Sequence, residues 1–345
     1  MKEILRELCA LDGVSGYEQK VRDFIKKMAQ PYAEEMIEDS LGNVMVMKKG
    51  VARRAEPVVI ATPMDEAGFL VRGYTSDGYL KLTAVGKFDL RGMAGCRVTV
   101  GCEGTSGMII RKKMGATADE KWGETPALSD LLVDIGESSD VEARKRASIG
   151  DPVALWGSFA MFGEQCVMAK GLRSRVGCAI ALKMLQEELP YDTWFAFTVG
   201  GVTSDTGARG AIPVGNRLKP RYTLILGAKG SDDLPSVLPH KQTAKMRHGA
   251  VVSLIDIETV YHRGLRKKIV RSAEKEGIRW QYDCCGAGGN DGAALHVAGM
   301  GADAFGLSVP VRGFYNATNV MCMKDLEEAY RMAVLFNREA GEWNV

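Results

Sequence analysis

Between Glu18 and Met28 the apolar positions are Val21, Phe24, Ile25 and Met28, an i, i+3, i+4, i+7 spacing that makes one helical stripe behind a polar face. Helices therefore open the chain. A turn sequence, SLGN at 40–43, then separates EEMIED from VMVMKK and predicts a hairpin. It is followed by PVVIATPMD at 57–65, an unbroken apolar run of the kind a strand buried on both faces of a parallel or mixed sheet requires. From Gly68 to about Trp156 the texture changes to short alternating runs broken by Gly and Asp, which predicts a small β-rich domain. Within it, Ser139 and Glu142 have capping-box spacing ahead of GDPVALW. After Gly157 a longer helix–strand rhythm returns. It predicts a helix over roughly 174–189, strands TWFAFTV and RYTLILG, helix GLRKKIVRSAEKEG, strand WQYDCC, a helix around DGAALHVAG, strand ADAFGLSV and a final amphipathic helix DLEEAYRMAVLF. The expected fold class is α/β: an α/β/α sandwich of residues 1–66 and 158–345, interrupted at 67–157 by a β-rich insertion.

Composition narrows the function classes. A chain of 345 residues with 46% hydrophobic and 26% charged content has the globular average, and no apolar run approaches the 18 residues of a membrane span. Lys and Arg total 45 against 43 Asp and Glu, a net charge of +2, so neither nucleic acid nor a membrane is expected as a partner. Eight cysteines show no CxxC spacing, and the first residues lack an uninterrupted signal-peptide core, so a reduced, cytoplasmic setting is expected. The four histidines, His240, His248, His262 and His296, include no i, i+4 pair.

Several segments, in order along almost the whole chain, resemble the glutamyl (tetrahedral) aminopeptidase family of two-metal peptidases. They are VSGYEQKVRDFI, LGNVMVMKKG, ATPMDEAGFLV, VDIGESS, AKGLRSRVG, SDTGARGA, GGNDGAAL and SVPVRGFYN. The resemblance implies an α/β/α sandwich of the zinc-aminopeptidase (phosphorylase/hydrolase-like) type. It also implies two zinc or cobalt ions about 3.5–4 Å apart, with a carboxylate as general base. For the insertion it implies an assembly role, with homo-oligomers from dimer to dodecamer.

The family's motifs fall on altered residues here. The His of an "AHMDE" motif falls on Pro63, which has no donor atom, while Asp65 matches the supporting carboxylate beside Glu66. The bridging Asp falls on Arg173, which cannot coordinate a cation. In SDTGARGA the general-base Glu becomes Ser204 and the adjacent ligand becomes Asp205. A later ligand Asp falls on Gly227, and the final His falls on Tyr315, with Arg312 retained. With no His before position 240 or after 296, no local shift in alignment restores the two family histidines. The expectation is a homologue that has lost its two-metal site and general base, uses no cofactor and is catalytically inactive. It would keep a pocket for a peptide or small molecule and its assembly surfaces, with an active paralogue as a further expected partner. The alternative is an active hydrolase with relocated ligands, or a metal-independent one using Ser204, Asp65 or Tyr315.

The substitutions also make electrostatic sense, since carboxylates facing one another without cations would cost on the order of several kcal/mol. Arg173 is expected to fill the former metal space and to pair with Asp205 or Asp65. Plainer readings stand beside these. Asp65 and Glu66 read as structural carboxylates at a strand end, and Ser204 and Asp205 as loop and cap residues. Asp291, in GGND, reads as an N-cap, and Cys284 and Cys285 as core packing. Arg263, Arg266, Lys267, Lys268 and Arg271 read as the wet face of a helix.

Overall fold

The computed structural model describes residues 1–53, 57–112, 125–203, 207–284 and 288–342. Helices α1 (Lys2–Ala10) and α2 (Gln19–Ala29) lead into the expected hairpin, β1 (Glu35–Glu38) and β2 (Val44–Lys48). Its turn is held by Asp39 Oδ1, which accepts the amides of Leu41, Gly42 and Asn43 at 3.0 Å each, while Gly42 takes φ +94°. Strand β3 (Val58–Pro63) then enters the middle of the sheet.

Between Gly68 and Leu155 the chain forms a closed barrel. Its strands are β4 (Gly68–Tyr74), β5 (Leu80–Val85), β6 (Arg97–Val100), β7 (Thr105–Arg111), β8 (Leu131–Asp134) and β9 (Pro152–Leu155), in the order β4-β5-β8-β7-β6-β9. Alternate residues Phe69 and Val71, Leu80 and Leu82, and Val98 and Val100 point inward, the period-2 pattern read as a β-rich unit. Helix α3 (Asp140–Arg146) is capped by Ser139 Oγ, which accepts the Glu142 amide at 3.3 Å. Only half of the expected capping box forms, because the Glu142 carboxylate turns to Lys145 Nζ at 2.7 Å.

The chain then re-enters the large sheet through β10 (Ala160–Phe162), β11 (Cys166–Ala169), α4 (Leu172–Leu185), β12 (Thr193–Thr198), α5 (Ala211–Leu218) and β13 (Tyr222–Gly230). It finishes with β14 (Ala250–Ser253), α6 (Arg263–Lys275), β15 (Trp280–Asp283), α7 (Gly292–Leu295), β16 (Asp303–Arg312), β17 (Asn319–Cys322) and α8 (Met323–Gly341). Among the described residues the sheet has eleven strands, in the order β1-β2-β12-β3-β13-β16-β17-β11-β10, with β14 beside β16 and β15 beside β14. Strands β12, β3, β13 and β16 are parallel and form its centre. Alternation along β3 divides the core. Val58 and Ile60 pack with α1, α2, α4, α6 and α8, whereas Val59 and Ala61 face α5 and α7. The result is the mixed α/β fold, helices on both faces of the sheet. No helix among the described residues is long and apolar enough to cross a membrane.

Two contacts fix the head of α4 against the site. Gly171 starts the helix at φ +67°, and Gly177 lies so close to β3 that an added Cβ would overlap Thr62 Oγ1. The helix begins at Leu172 and ends at Leu185, rather than spanning 174–189, and the expected helix around DGAALHVAG is one turn, α7.

Candidate functional site

A parallel sheet binds ligands beyond the carboxyl ends of its strands, and the site residues expected from the sequence gather around that edge. A cleft of about 880 Å³ opens there, with Pro63, Arg173, Gly227 and Tyr315 on its wall. Beside it, at the head of α4, is a cavity of about 40 Å³ that Glu66, Arg173 and Tyr315 also line. Nothing lies within 4 Å of where a Cβ on Gly227 would stand, so that wall is open. Ser204 and Asp205 lie outside the described residues.

The expected ion pair between Arg173 and Asp65 does not form. Asp65 is fully buried, with Oδ1 accepting the Gly201 amide and Oδ2 the Val202 amide, both at 3.0 Å. It thus holds the loop after β12 against the end of β3. Arg173 instead lays its guanidinium over the rings of Phe314 and Tyr315, at 4.7 and 5.9 Å from their centroids. Burial pulls its pKa below the ordinary value, with Tyr315 and Asp65 opposing the shift.

Asp291 does not cap α7; Asn290 Oδ1 does, accepting the Gly292 amide at 2.8 Å. The Asp291 carboxyl is buried. Its Oδ2 accepts the Thr198 hydroxyl at 2.8 Å, and its Oδ1 has no partner among the described residues. Burial pushes this carboxyl up to about 7, opposed by the Thr198 hydrogen bond and aided by the charge of Asp65. Arg312 sits apart, in a bidentate pair with Asp233 at 2.7 Å on each arm, which ties the end of β16 to the loop after β13.

Glu66 belongs to a cluster of which the sequence reading singled out only this one residue. Its Oε1 accepts the Gly13 amide at 3.0 Å and meets Lys170 Nζ at 3.1 Å, while Lys170 also reaches Asp12 Oδ1 at 2.7 Å. Arg175, fully buried, donates to the Met64 carbonyl and places Nη2 3.7 Å from Glu66 Oε2. Burial opposes the charge on Lys170, yet Glu66 and Asp12 hold its pKa above the ordinary value. The signal for this cluster was present in KGLRSRV, where cations intrude on an otherwise apolar helix.

The remaining candidates do not converge. His262 Nδ1 caps α6 by accepting the Leu265 amide at 3.2 Å. Ring nitrogens of His248 and His296 lie beside the carbonyls of Met246 and Gly292, and His240 is in a turn at Pro239–Lys241. Cys9 and Cys178 are buried, and that burial pushes their thiols up to about 12, too high for thiolate chemistry. Core packing of Cys284 is corrected: this thiol is exposed, because it leaves the end of β15, and Cys285 lies outside the described residues. Arg263, Lys267 and Arg271 do lie on the exposed face of α6, with Arg266 and Lys268 half-buried beside them.

Among the described residues no group of three or more His, Cys, Asp or Glu is arranged to hold a metal ion. Among the described residues the carboxylates of the expected set at this edge are Asp65, with both oxygens on backbone amides, Glu66 and Asp291. These three carboxylates by themselves do not make the donor set of a two-ion site, and Asp205 lies outside the described residues.

Sequence and structure comparisons place the chain. Residues 42–332 match the M42 glutamyl aminopeptidase family. A protein of Acetivibrio thermocellus, provisionally named an aminopeptidase, is 28% identical over 336 residues, covering 97% of each chain. An aminopeptidase from the archaeon Desulfurococcus kamchatkensis superposes with a TM-score of 0.90 at 25% identity, over 97% of this chain and 93% of its own. The TET1 peptidase of Pyrococcus horikoshii, which can assemble into a tetrahedron or a large octahedral shell, has a TM-score of 0.84 at 26% identity, over 97% and 98%. The chain therefore belongs to the M42 glutamyl aminopeptidase family, whose members are metal-dependent, and that membership overturns the expectation of a chain without a cofactor.

Proposed function

We propose that this chain binds a small ligand or peptide in its cleft without cleaving it. The observation that carries the reading is Arg173, a cation held over two aromatic rings on the wall where the family's chemistry is expected. An aminopeptidase must receive a protonated amino terminus. Two like charges 4 Å apart repel by about 4 kcal/mol at an effective dielectric of 20, which is about three decades of affinity. An ammonium group entering beside Arg173 is disfavoured on that scale. Asp65 offsets part of this through its charge, but it is buried with both oxygens on backbone amides and makes no direct contact with the cleft. Fold membership leaves this open, because activity resides in the site rather than in the scaffold.

The test is an assay with a panel of aminoacyl anilides, run on the protein as purified and again after addition of zinc, cobalt or manganese. The outcome then holds whichever ion the protein carries. No turnover above the uncatalysed rate is expected. Ion-supported release of N-terminal amino acids by pure protein would overturn the reading.

A further inference from the structure

We propose that the first turn of α4, with the Arg173 guanidinium and the Ser174 hydroxyl, is an oxyanion site, so that the ligand of the cleft enters by a carboxylate or phosphate group. The inference rests on the reading of the cleft as a binding site and names the chemistry it selects.

Three independent features meet at this point. The helix is 14 residues long and begins at Gly171 with no side-chain cap, and among the described residues the amides of Leu172 and Arg173 find no acceptor. Uncapped N–H groups at the positive end of a helix favour an anion. Ser174 is only 2% exposed, lines both the small cavity and the large cleft, and its hydroxyl has no hydrogen-bond partner among the described residues. A hydroxyl on a largely buried residue that faces open space is available to a ligand or water. Arg173 lines the same two spaces with no carboxylate paired to it among the described residues, and a guanidinium is a fork of donors suited to oxyanions.

The neighbouring acids are already engaged. Asp65 accepts two amides, and Glu66 is taken by Gly13 and Lys170. Farther along the cleft the charged wall residues are Lys87, Arg173, Arg209 and Lys229 against Asp232 and Asp256. Both of those carboxylates accept from their own chain, Asp232 from the Thr243 amide at 2.8 Å and Asp256 from the Tyr261 hydroxyl at 2.7 Å. Lys229 is itself paired with Asp283 at 2.6 Å, so the pull on an anion comes from Arg173 and the amides at the head of α4. The 40 Å³ cavity exceeds the roughly 10–15 Å³ that a water requires, and the adjoining 880 Å³ cleft, which Arg173 and Ser174 also line, has room for a carboxylate or phosphate head.

Isothermal titration of the full chain at low salt with inorganic phosphate, succinate and leucinamide tests this, the first two separating phosphate from carboxylate recognition. At least one anion is expected to bind, with leucinamide showing no heat. Arg173→Gln should weaken that binding about tenfold or more, and Ser174→Ala a few-fold, as loss of hydrogen bonds to a charged group predicts. Failure of both anions to bind, or equal binding by Arg173→Gln, overturns the site. Should that variant not fold, Arg173→Lys and Ser174→Ala carry the same test, because a point charge does not replace a two-armed donor. Anilide turnover measured on the same samples keeps the two readings apart: turnover with anion binding removes the silent-binder reading alone, and absence of both removes the oxyanion site alone.

Discussion

Arg173 and Arg175 are two residues apart on α4 and live in opposite electrical surroundings. At 100° per residue they lie about 200° apart around the helix, so neighbours in sequence cannot share a partner. Arg175 turns inward, joining Lys170, Glu66 and Asp12 in a cluster where two cations meet two carboxylates. Arg173 turns to the cleft, where it lies over the rings of Phe314 and Tyr315 and pairs with no carboxylate among the described residues. A buried charge that meets opposite charge inside the protein serves the fold, even though Nε and Nη2 of Arg175 make no hydrogen bond among the described residues. One that is left with half its surroundings missing is available to a ligand.

The contrast breaks first at Glu66. Replacing it with glutamine keeps the volume and an oxygen that accepts the Gly13 amide, but leaves Lys170 and Arg175 with Asp12 alone. Removing one partner from a buried ionic cluster typically costs about 3–5 kcal/mol, because the remaining charges stay desolvated. Urea unfolding of Glu66→Gln should show a loss of that size. A loss below about 1 kcal/mol would mean that the cluster is wetter than its geometry implies and is not the structural half of the pair.

Much of the scaffold was legible because its signals are local. An unbroken apolar run marked β3 as a strand covered on both faces, and alternation with Gly and Asp breaks marked the barrel strands. Helix α5 starts later than the helix expected to contain Ala208 and Arg209: it runs from Ala211 to Leu218 and carries Pro213 and Gly215. Pro213 falls in the first turn, where no amide bond is lost, and Gly215 is needed because a Cβ there would crowd Ala298. Strands β10 and β17 have only three and four residues, too few for a period to show. In the site, the family histidines could be ruled out by counting. Which carboxylates are consumed by backbone amides could not, since Gly201 and Val202 are 136 and 137 residues from Asp65 in the chain. The cofactor expectation failed because missing side chains at matched positions do not outweigh membership of a metal-dependent family; Asp205 lies outside the described residues.

Asp291 sharpens the comparison as a carboxyl with no cation in contact, the mirror image of Arg173. Its folded pKa is raised from 3.8 to about 7. Below about pH 4 the group is protonated in both states and imposes no penalty. Between pH 4 and 7 the unfolded chain ionises first, so the folded state loses stability as pH rises and has lost it fully above about 7. At about 1.4 kcal/mol per unit the loss is at most a few kcal/mol. Asp291→Asn stays neutral, so its unfolding free energy should fall less than that of the parent between pH 5 and pH 8. Parallel curves would show that Asp291 is ionised in the fold and has found a counter-charge.

The smallest effect on stability, and the most telling for the comparison, is expected at Arg173. Truncation to alanine removes a cation stacked on Phe314 and Tyr315, an interaction worth roughly 0.5–2 kcal/mol, and it also relieves the burial that holds its pKa down. The two effects oppose each other. Arg173→Ala should therefore change the unfolding free energy by less than about 1 kcal/mol, as substitutions outside a bonded network usually do. Added phosphate or succinate should then separate the proteins. Either anion that binds stabilises the parent by mass action on the folded state, and should do so far less in the variant. A stability loss comparable with that of Glu66→Gln would place Arg173 in the structural class with Arg175, and the division between the two faces of α4 would disappear.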